Sequence, residues 1–155
     1  MIDNQQFRAS IIRPTLAKLE LASDKAENLL VMVMAHESNG GYYLQQTKGP
    51  ALGVYQMETA TFNDLWRRYL FNKPDLENRL MDSCNLKHIP EPEEMEGNLY
   101  LATAMARIFF LRVYTPIPTD LELLSEHIKK FWNTEAGKAT AAEYLRDYLK
   151  FTAAK

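Results

Sequence analysis

The sequence lacks the features that define several large classes of protein. Its one cysteine, Cys84, excludes an internal disulfide and cysteine-rich zinc sites. Six glycines and seven prolines are too few for a collagen-like or low-complexity chain. The longest apolar run covers residues 29–35, far short of the ~20 residues that a membrane-spanning helix requires. We therefore expect a globular protein with no membrane insertion.

An excess of charge of one sign is also lacking. Eighteen basic and twenty acidic residues give a net charge of −2, which predicts no nucleic-acid partner. The N-terminal residues have neither a basic segment nor an apolar core, so no signal peptide is predicted. We expect the chain to be made in a cytoplasm and to reach any other compartment by a route that it does not itself encode.

No group of residues has the spacing of a metal or cofactor site. The pair His36-Glu37 begins like the His-Glu-x-x-His motif of zinc proteases, but Gly40 stands where the second histidine would be. The other histidines, His88 and His127, are far from this pair in the sequence. We expect neither a metal nor a cofactor.

Helical periodicity dominates, and 155 residues are the size of one domain. A helix is predicted over residues 24–38, and because its middle, residues 29–35, is apolar on every side, it should be buried. A second buried helix is predicted over residues 93–114. Five amphipathic helices are also predicted. One has Pro14 in its first turn, one covers residues 59–72, a third ends at about Ser83, and the last two are capped by Thr119 and Thr140. The prediction is a single, mainly α domain over residues 1–155.

The segment of residues 39–57 is the least regular part of the chain and holds four of the six glycines. A glycine-rich loop is favoured here, with a short strand at residues 42–44 as the alternative. Tyrosine, glutamine and asparagine cluster in the same segment. Such side chains, together with exposed glycine backbone, are suited to forming the wall of a sugar-binding cleft.

Glu37 is the first candidate for a catalytic group. It lies on the same helical stripe as Leu30, Val33 and Met34, and at the C-terminal end of the predicted buried helix. Burial and the negative end of the helix dipole both raise the pKa of a carboxyl group, which favours a general acid. The alternative is an ordinary glutamate at a helix end that points into solvent.

Four motifs resemble a known family. Glu37-Ser38 is followed by residues 49–58 (GPALGVYQME), by Asn98-Leu99 and by residues 131–138 (FWNTEAGK). In order and spacing these resemble the motifs of the lysozyme-like superfamily, in its lytic transglycosylase and goose-type lysozyme branch. The resemblance covers about residues 24–150 and is greatest to small phage-encoded members.

The resemblance implies a lysozyme-like fold and cleavage of the β-1,4 bond between N-acetylmuramic acid and N-acetylglucosamine in peptidoglycan. Glu37 would be the general acid and base, and either the substrate itself or water would attack the cationic carbon. Glu58 is the nearest candidate for a second carboxylate, and its alternative role is that of an acidic residue in the first turn of the next helix. The residues expected to bind the glycan strand are Ser38, Tyr43, Tyr55, Gln56, Met57, Trp132 and Asn133.

A second hypothesis is a virion or tail structural protein that keeps the fold with little activity. Glu37 on a buried stripe favours the enzyme. The nearly neutral chain is less typical of a free endolysin, because many endolysins use positive charge to find anionic cell walls. We therefore expect a virion-associated protein, or one that acts at the cell wall in the periplasm, with other virion or tail proteins as further partners.

Overall fold

Seven helices and one two-stranded sheet form the described part of the chain in a computed structural model, which describes residues 1–153. The helices are α1 (residues 4–18), α2 (Asp24–Glu37), α3 (residues 59–72), α4 (Pro74–Ser83), α5 (Leu99–Leu111), α6 (residues 121–133) and α7 (Ala141–Ala153). The antiparallel strands are β1 (Ala51–Leu52) and β2 (Met57–Glu58). The prediction of a mainly α protein is confirmed. Within residues 1–153, no helix is long and apolar enough to cross a membrane.

Helix α2 is the centre of the core, as its composition predicts. Residues 29–35 are all buried. The helix begins after Ser23, whose hydroxyl accepts a hydrogen bond of 3.1 Å from the Ala26 amide. It ends at Glu37, and Gly40 in the turn that follows takes a positive φ of 66°; a Cβ on Gly40 would lie 2.7 Å from the Phe151 ring. The end of α2 is therefore held against α7.

Helix α5 is also buried, but both of its predicted ends are wrong. It begins at Leu99 rather than near residue 93, because the Asn98 side chain caps it by accepting a 3.0 Å bond from the Leu101 amide. The preceding residues form a separate 3₁₀ turn, Pro92–Met95. The helix ends at Leu111, before the predicted end at residue 114.

Of the two residues predicted to cap α6 and α7, one is wrong and one is correct. Asp120, not Thr119, caps α6 through a 2.9 Å bond from the Leu123 amide. Thr140 caps α7 as predicted, because its hydroxyl accepts from the Glu143 amide at 3.2 Å. The last turn of α6, Lys129–Asn133, is π-helical, a distortion that often occurs at functional sites.

The glycine-rich segment is a loop that contains the small sheet. Its strands lie at residues 51–52 and 57–58, so the alternative strand at residues 42–44 is not formed. At the hairpin turn Gly53 has a φ of 74°, and a Cβ there would lie 2.8 Å from the Met95 carbonyl oxygen. Glycine thus lets the hairpin pack against the Pro92–Met95 turn, and the hairpin forms one wall of a cleft.

Candidate functional site

A cleft of about 500 Å³ lies between the end of α2, the hairpin and the ends of α5 and α6. Predicted site residues and residues that the sequence did not single out both line it. The predicted ones are Glu37, Gln56, Met57, Glu58, Trp132 and Asn133. The others are Gln46, Ala51, Thr61, Phe109, Phe131 and Thr134. Its volume is in the range of small-molecule binding sites.

Glu37 is the last residue of α2 and is half-buried at the cleft. Burial raises the pKa of its carboxyl group above the ordinary value of 4.5. The Tyr144 hydroxyl, which donates a hydrogen bond to the Glu37 Oε1 atom, and the neighbouring His36 both oppose this shift. Burial has the larger effect, so the carboxyl group holds its proton to a higher pH than an exposed glutamate does.

Tyr144 contacts Glu37, although the sequence does not single it out as a site residue. Its ring is fully buried on the inner face of α7, as a core residue would be, yet its hydroxyl contacts Glu37. Burial and the nearby Glu37 carboxylate raise the pKa of Tyr144, so the phenol remains a proton donor. The ring also packs against His36, with 4.1 Å between the ring centroids. The His36 Nδ1 atom in turn lies 2.7 Å from Asp147 Oδ2.

The hairpin presents three consecutive predicted residues to the cleft. Gln56 follows the turn with a φ of 52°, and its amide donates a 2.9 Å hydrogen bond to the Gly53 carbonyl oxygen, which fixes the side chain. Met57 is buried beside it in β2. Glu58 is exposed and is the N-cap residue of α3, without a side-chain capping bond. Its predicted place in the first helical turn is therefore wrong by one residue.

The π-helical end of α6 forms the opposite wall. The Trp132 ring stacks on Phe110 at 5.6 Å between centroids, with 13° between the planes, and contacts the edge of Phe109 at 4.9 Å. Asn133 is held by Lys129, whose Nζ atom donates to Asn133 Oδ1 at 2.6 Å. Both side chains are therefore braced by neighbours, and both line the cleft.

Three predicted binding residues do not line this cleft. Tyr55 is buried and shares a 3.0 Å hydrogen bond with Thr103 of α5, so the expectation that it contacts substrate in the cleft is wrong. Ser38 is buried beneath the end of α2. Tyr43 is 44% exposed on the loop, where its ring meets the edge of Tyr42 at 4.9 Å.

Ser38 has a structural role that a substitution can test. Its hydroxyl donates to the Met34 carbonyl oxygen at 3.1 Å and accepts from the Gly41 amide at 2.9 Å. We expect Ser38→Ala to lower the free energy of unfolding by about 1–3 kcal/mol, because it leaves the Gly41 amide without its partner. Chemical denaturation measures this loss.

The same variant should keep its activity per folded molecule at the wild-type level. The control is Ser83→Ala, which removes a buried hydroxyl that donates to the Leu80 carbonyl oxygen at 2.9 Å and contacts the Cys84 Sγ atom at 3.4 Å. This hydroxyl holds no backbone amide among residues 1–153, so its loss should cost less. A Ser38→Ala variant with full stability and no activity would instead place the hydroxyl in the chemistry.

Among residues 1–153, no three His, Cys, Asp or Glu side chains form a group that could hold a metal ion. Comparisons of the chain with protein-family models, with curated proteins and with solved structures found no match. The residues that line the cleft, and the sequence motifs to which they belong, are therefore what indicates a function.

Proposed function

We propose that the chain is a peptidoglycan-cleaving enzyme that cuts the β-1,4 bond between N-acetylmuramic acid and N-acetylglucosamine, on a fold of the lysozyme-like type. The main support for this proposal is the carboxyl group of Glu37, which is half-buried, has a raised pKa and lies at a cleft of about 500 Å³. A carboxyl group with a raised pKa holds its proton to a higher pH, as the general acid of glycosidic bond cleavage must.

In the proposed reaction Glu37 protonates the glycosidic oxygen while the bond from that oxygen to the sugar carbon breaks. Tyr144 donates to Oε1 of Glu37, which leaves Oε2 to hold the proton that is transferred. The carboxylate formed then takes a proton from the attacking group. If the C6 hydroxyl of the same sugar attacks, the product has a 1,6-anhydro end; if water attacks, it has a reducing end.

The cleft walls supply groups that suit an N-acetylated sugar. Trp132 offers an aromatic surface, and aromatic side chains combine an apolar face with a polar edge. The amides of Gln56 and Asn133 have both donors and acceptors for acetamido and hydroxyl groups. Both amides are already held by intramolecular bonds, so little side-chain entropy is lost when a ligand binds.

A cell-wall substrate requires that the chain leave the cytoplasm in which it is made. The motifs resemble those of small phage-encoded proteins, and the net charge of −2 offers little attraction to an anionic wall. We therefore propose delivery to the wall as part of a phage virion, with tail or other virion proteins as partners.

Mass spectrometry of muropeptides after digestion of purified peptidoglycan tests the proposed function. Anhydro ends identify a lytic transglycosylase and reducing ends a muramidase. The absence of products would contradict the enzyme and favour a virion structural protein.

The Glu58→Gln substitution distinguishes attack by the C6 hydroxyl group from attack by water. We expect the variant to keep most of its activity and unchanged anhydro products, because Glu58 is exposed, makes no capping bond and precedes α3, where the helix dipole favours an acidic residue without any catalytic role. The loss of stability should be at most ~1 kcal/mol. Product analysis, steady-state rates and thermal unfolding provide the measurements.

The matched control is Glu122→Gln, which removes an exposed acid from the first turn of α6, away from the cleft residues. A rate loss of orders of magnitude in the Glu58 variant alone, with reducing ends from the wild type, would make Glu58 a catalytic carboxylate and the enzyme a muramidase.

A further inference from the structure

A second pocket, of about 280 Å³, shares no lining residue with the cleft. It lies between the beginning of α2 and the end of α5, and residues 113–117 close one side of it. Its polar lining includes Ser23, Lys25 and Arg107. Neither the resemblance nor the proposed reaction gives this pocket a role.

Arg107 is an unusual residue in its helix. The other residues of α5 are apolar, aromatic, small or hydroxylated, and Arg107 lies among buried neighbours. Its Nε atom is buried and has no hydrogen-bond partner among residues 1–153. Burial lowers the pKa of the guanidinium group, with Tyr69 as the group that opposes the shift. A buried donor on a charged group without a partner is costly, and such groups ordinarily have one.

The side chains that line the pocket include two cations. Lys25 is an exposed second cation, and no acidic side chain is among the residues that line the pocket. In the described part of the chain, neither Lys25 nor Arg107 forms an ion pair. By contrast Arg112, at the end of the same helix, is paired with Asp64 at 2.7 Å. Asp24, in the first turn of α2, is the acidic residue next to Lys25 in the sequence; it is exposed and does not line the pocket.

The rest of the pocket lining is largely apolar. Phe110, Leu111, Val113, Pro116 and Ile117 surround the cationic end. A volume of about 280 Å³ is several times the roughly 30 Å³ share of one water molecule. The pocket therefore has room for an organic group attached to a charged one.

We propose that this pocket binds a small organic oxyanion, a carboxylate or phosphate on a short apolar body, with Arg107 and Lys25 as its charged partners. A guanidinium group matches either oxyanion because its fork of donors bonds two oxygens at once. Val113, Pro116 and Ile117 contact the body of the ligand. The site is independent of Glu37 and of the proposed cleavage.

Thermal unfolding with three probes tests the proposal. These are butyl phosphate, N-acetyl-alanyl-alanine with its free carboxylate, and the amide of the same dipeptide as the uncharged control. We expect at least one of the two anions to raise the Tm in proportion to the logarithm of its concentration above Kd, and the amide to have no effect. The anion that acts identifies the source of the oxyanion. The proposal fails if neither anion raises the Tm, or if the amide acts as well as the acid.

Three variants locate the effect. Arg107→Met keeps an unbranched side chain and removes the unpaired charge, so it should fold with a Tm at or above that of the wild type and bind at least 10-fold more weakly. Arg112→Met is the matched control at the end of α5 and should bind normally. Lys25→Met changes an exposed residue, so it should fold normally and bind the anion more weakly than the wild type. It therefore tests the proposal even if the Arg107 variant does not fold. Wild-type binding by both the Arg107 and Lys25 variants would overturn the assignment.

Discussion

Glu37→Gln is expected to abolish the cleavage of peptidoglycan and to leave the fold unchanged. The amide has nearly the shape of the carboxyl group and can still accept the hydrogen bond from Tyr144, but it has no proton to give to the leaving oxygen. General acid–base catalysis contributes ~10²–10⁴-fold, which sets the smallest loss expected in kcat. Turbidity loss of a peptidoglycan suspension, followed by muropeptide analysis, measures this rate. A Glu37→Gln variant that cleaves at the wild-type rate would show that Glu37 is not the acid.

The same variant should have a distinctive pH dependence of stability. Burial raises the pKa of Glu37 in the folded protein above its ordinary value of 4.5, so the folded state binds the proton more readily than the unfolded state. The stability that this binding supplies is complete below the unfolded pKa and is lost as the pH rises through the folded pKa. Glu37→Gln should therefore be more stable than the wild type at pH 7, by a margin that disappears below about pH 4.

Glu122→Gln, an exposed carboxylate in the first turn of α6, is the control for this comparison. Denaturant titrations of the three proteins from pH 4 to pH 8 provide the measurement. An equal pH dependence of stability in the wild type and the Glu37 variant would mean that the carboxyl group of Glu37 is not buried enough to affect folding.

The two core helices could be predicted from the sequence because their signal is local. Residues 29–35 have no polar side of a helix to expose, so burial follows from their composition. The predicted start of α5 is wrong because residues 93–96 (EEME) are good helix formers but belong to a separate turn. The hydrogen bond that the Leu101 amide donates to the Asn98 side chain marks the true start. Helix ends depend on single caps in this way, and periodicity does not reveal them.

The cleft was predicted in part, and the errors have a common cause. Tyr55 lies beside Gln56 in the sequence, but the hairpin turn directs it toward α5, where Thr103 satisfies its hydroxyl. The position of Tyr144 on the inner face of α7 is typical of a core residue, which is correct for the ring. Its bond to Glu37 joins residues 107 positions apart, and no local pattern contains that information.

Tyr144→Phe is expected to lower kcat by roughly 10- to 100-fold while α7 remains packed. The phenol donates to Glu37, and a hydrogen bond to a charged group contributes about 1.5–3 kcal/mol. This bond strengthens as Glu37 gives up its proton, so it stabilises the transition state more than the bound substrate. Tyr148→Phe is the matched control, because Tyr148 lies one turn further along α7 and donates to Asn28 rather than to a cleft residue.

The pH profile distinguishes this role of Tyr144 from simple packing. The Tyr144 bond lowers the pKa of Glu37 against the larger effect of burial, so its removal should raise that pKa further. Because Glu37 acts first as an acid, kcat/KM falls as the pH rises through this pKa, and in Tyr144→Phe the fall should occur at higher pH than in the wild type. Tyr148→Phe should keep the wild-type profile. If Tyr144→Phe keeps both the wild-type rate and the wild-type alkaline limb, the hydroxyl does not act on Glu37, and Tyr144 contributes only its ring to the core.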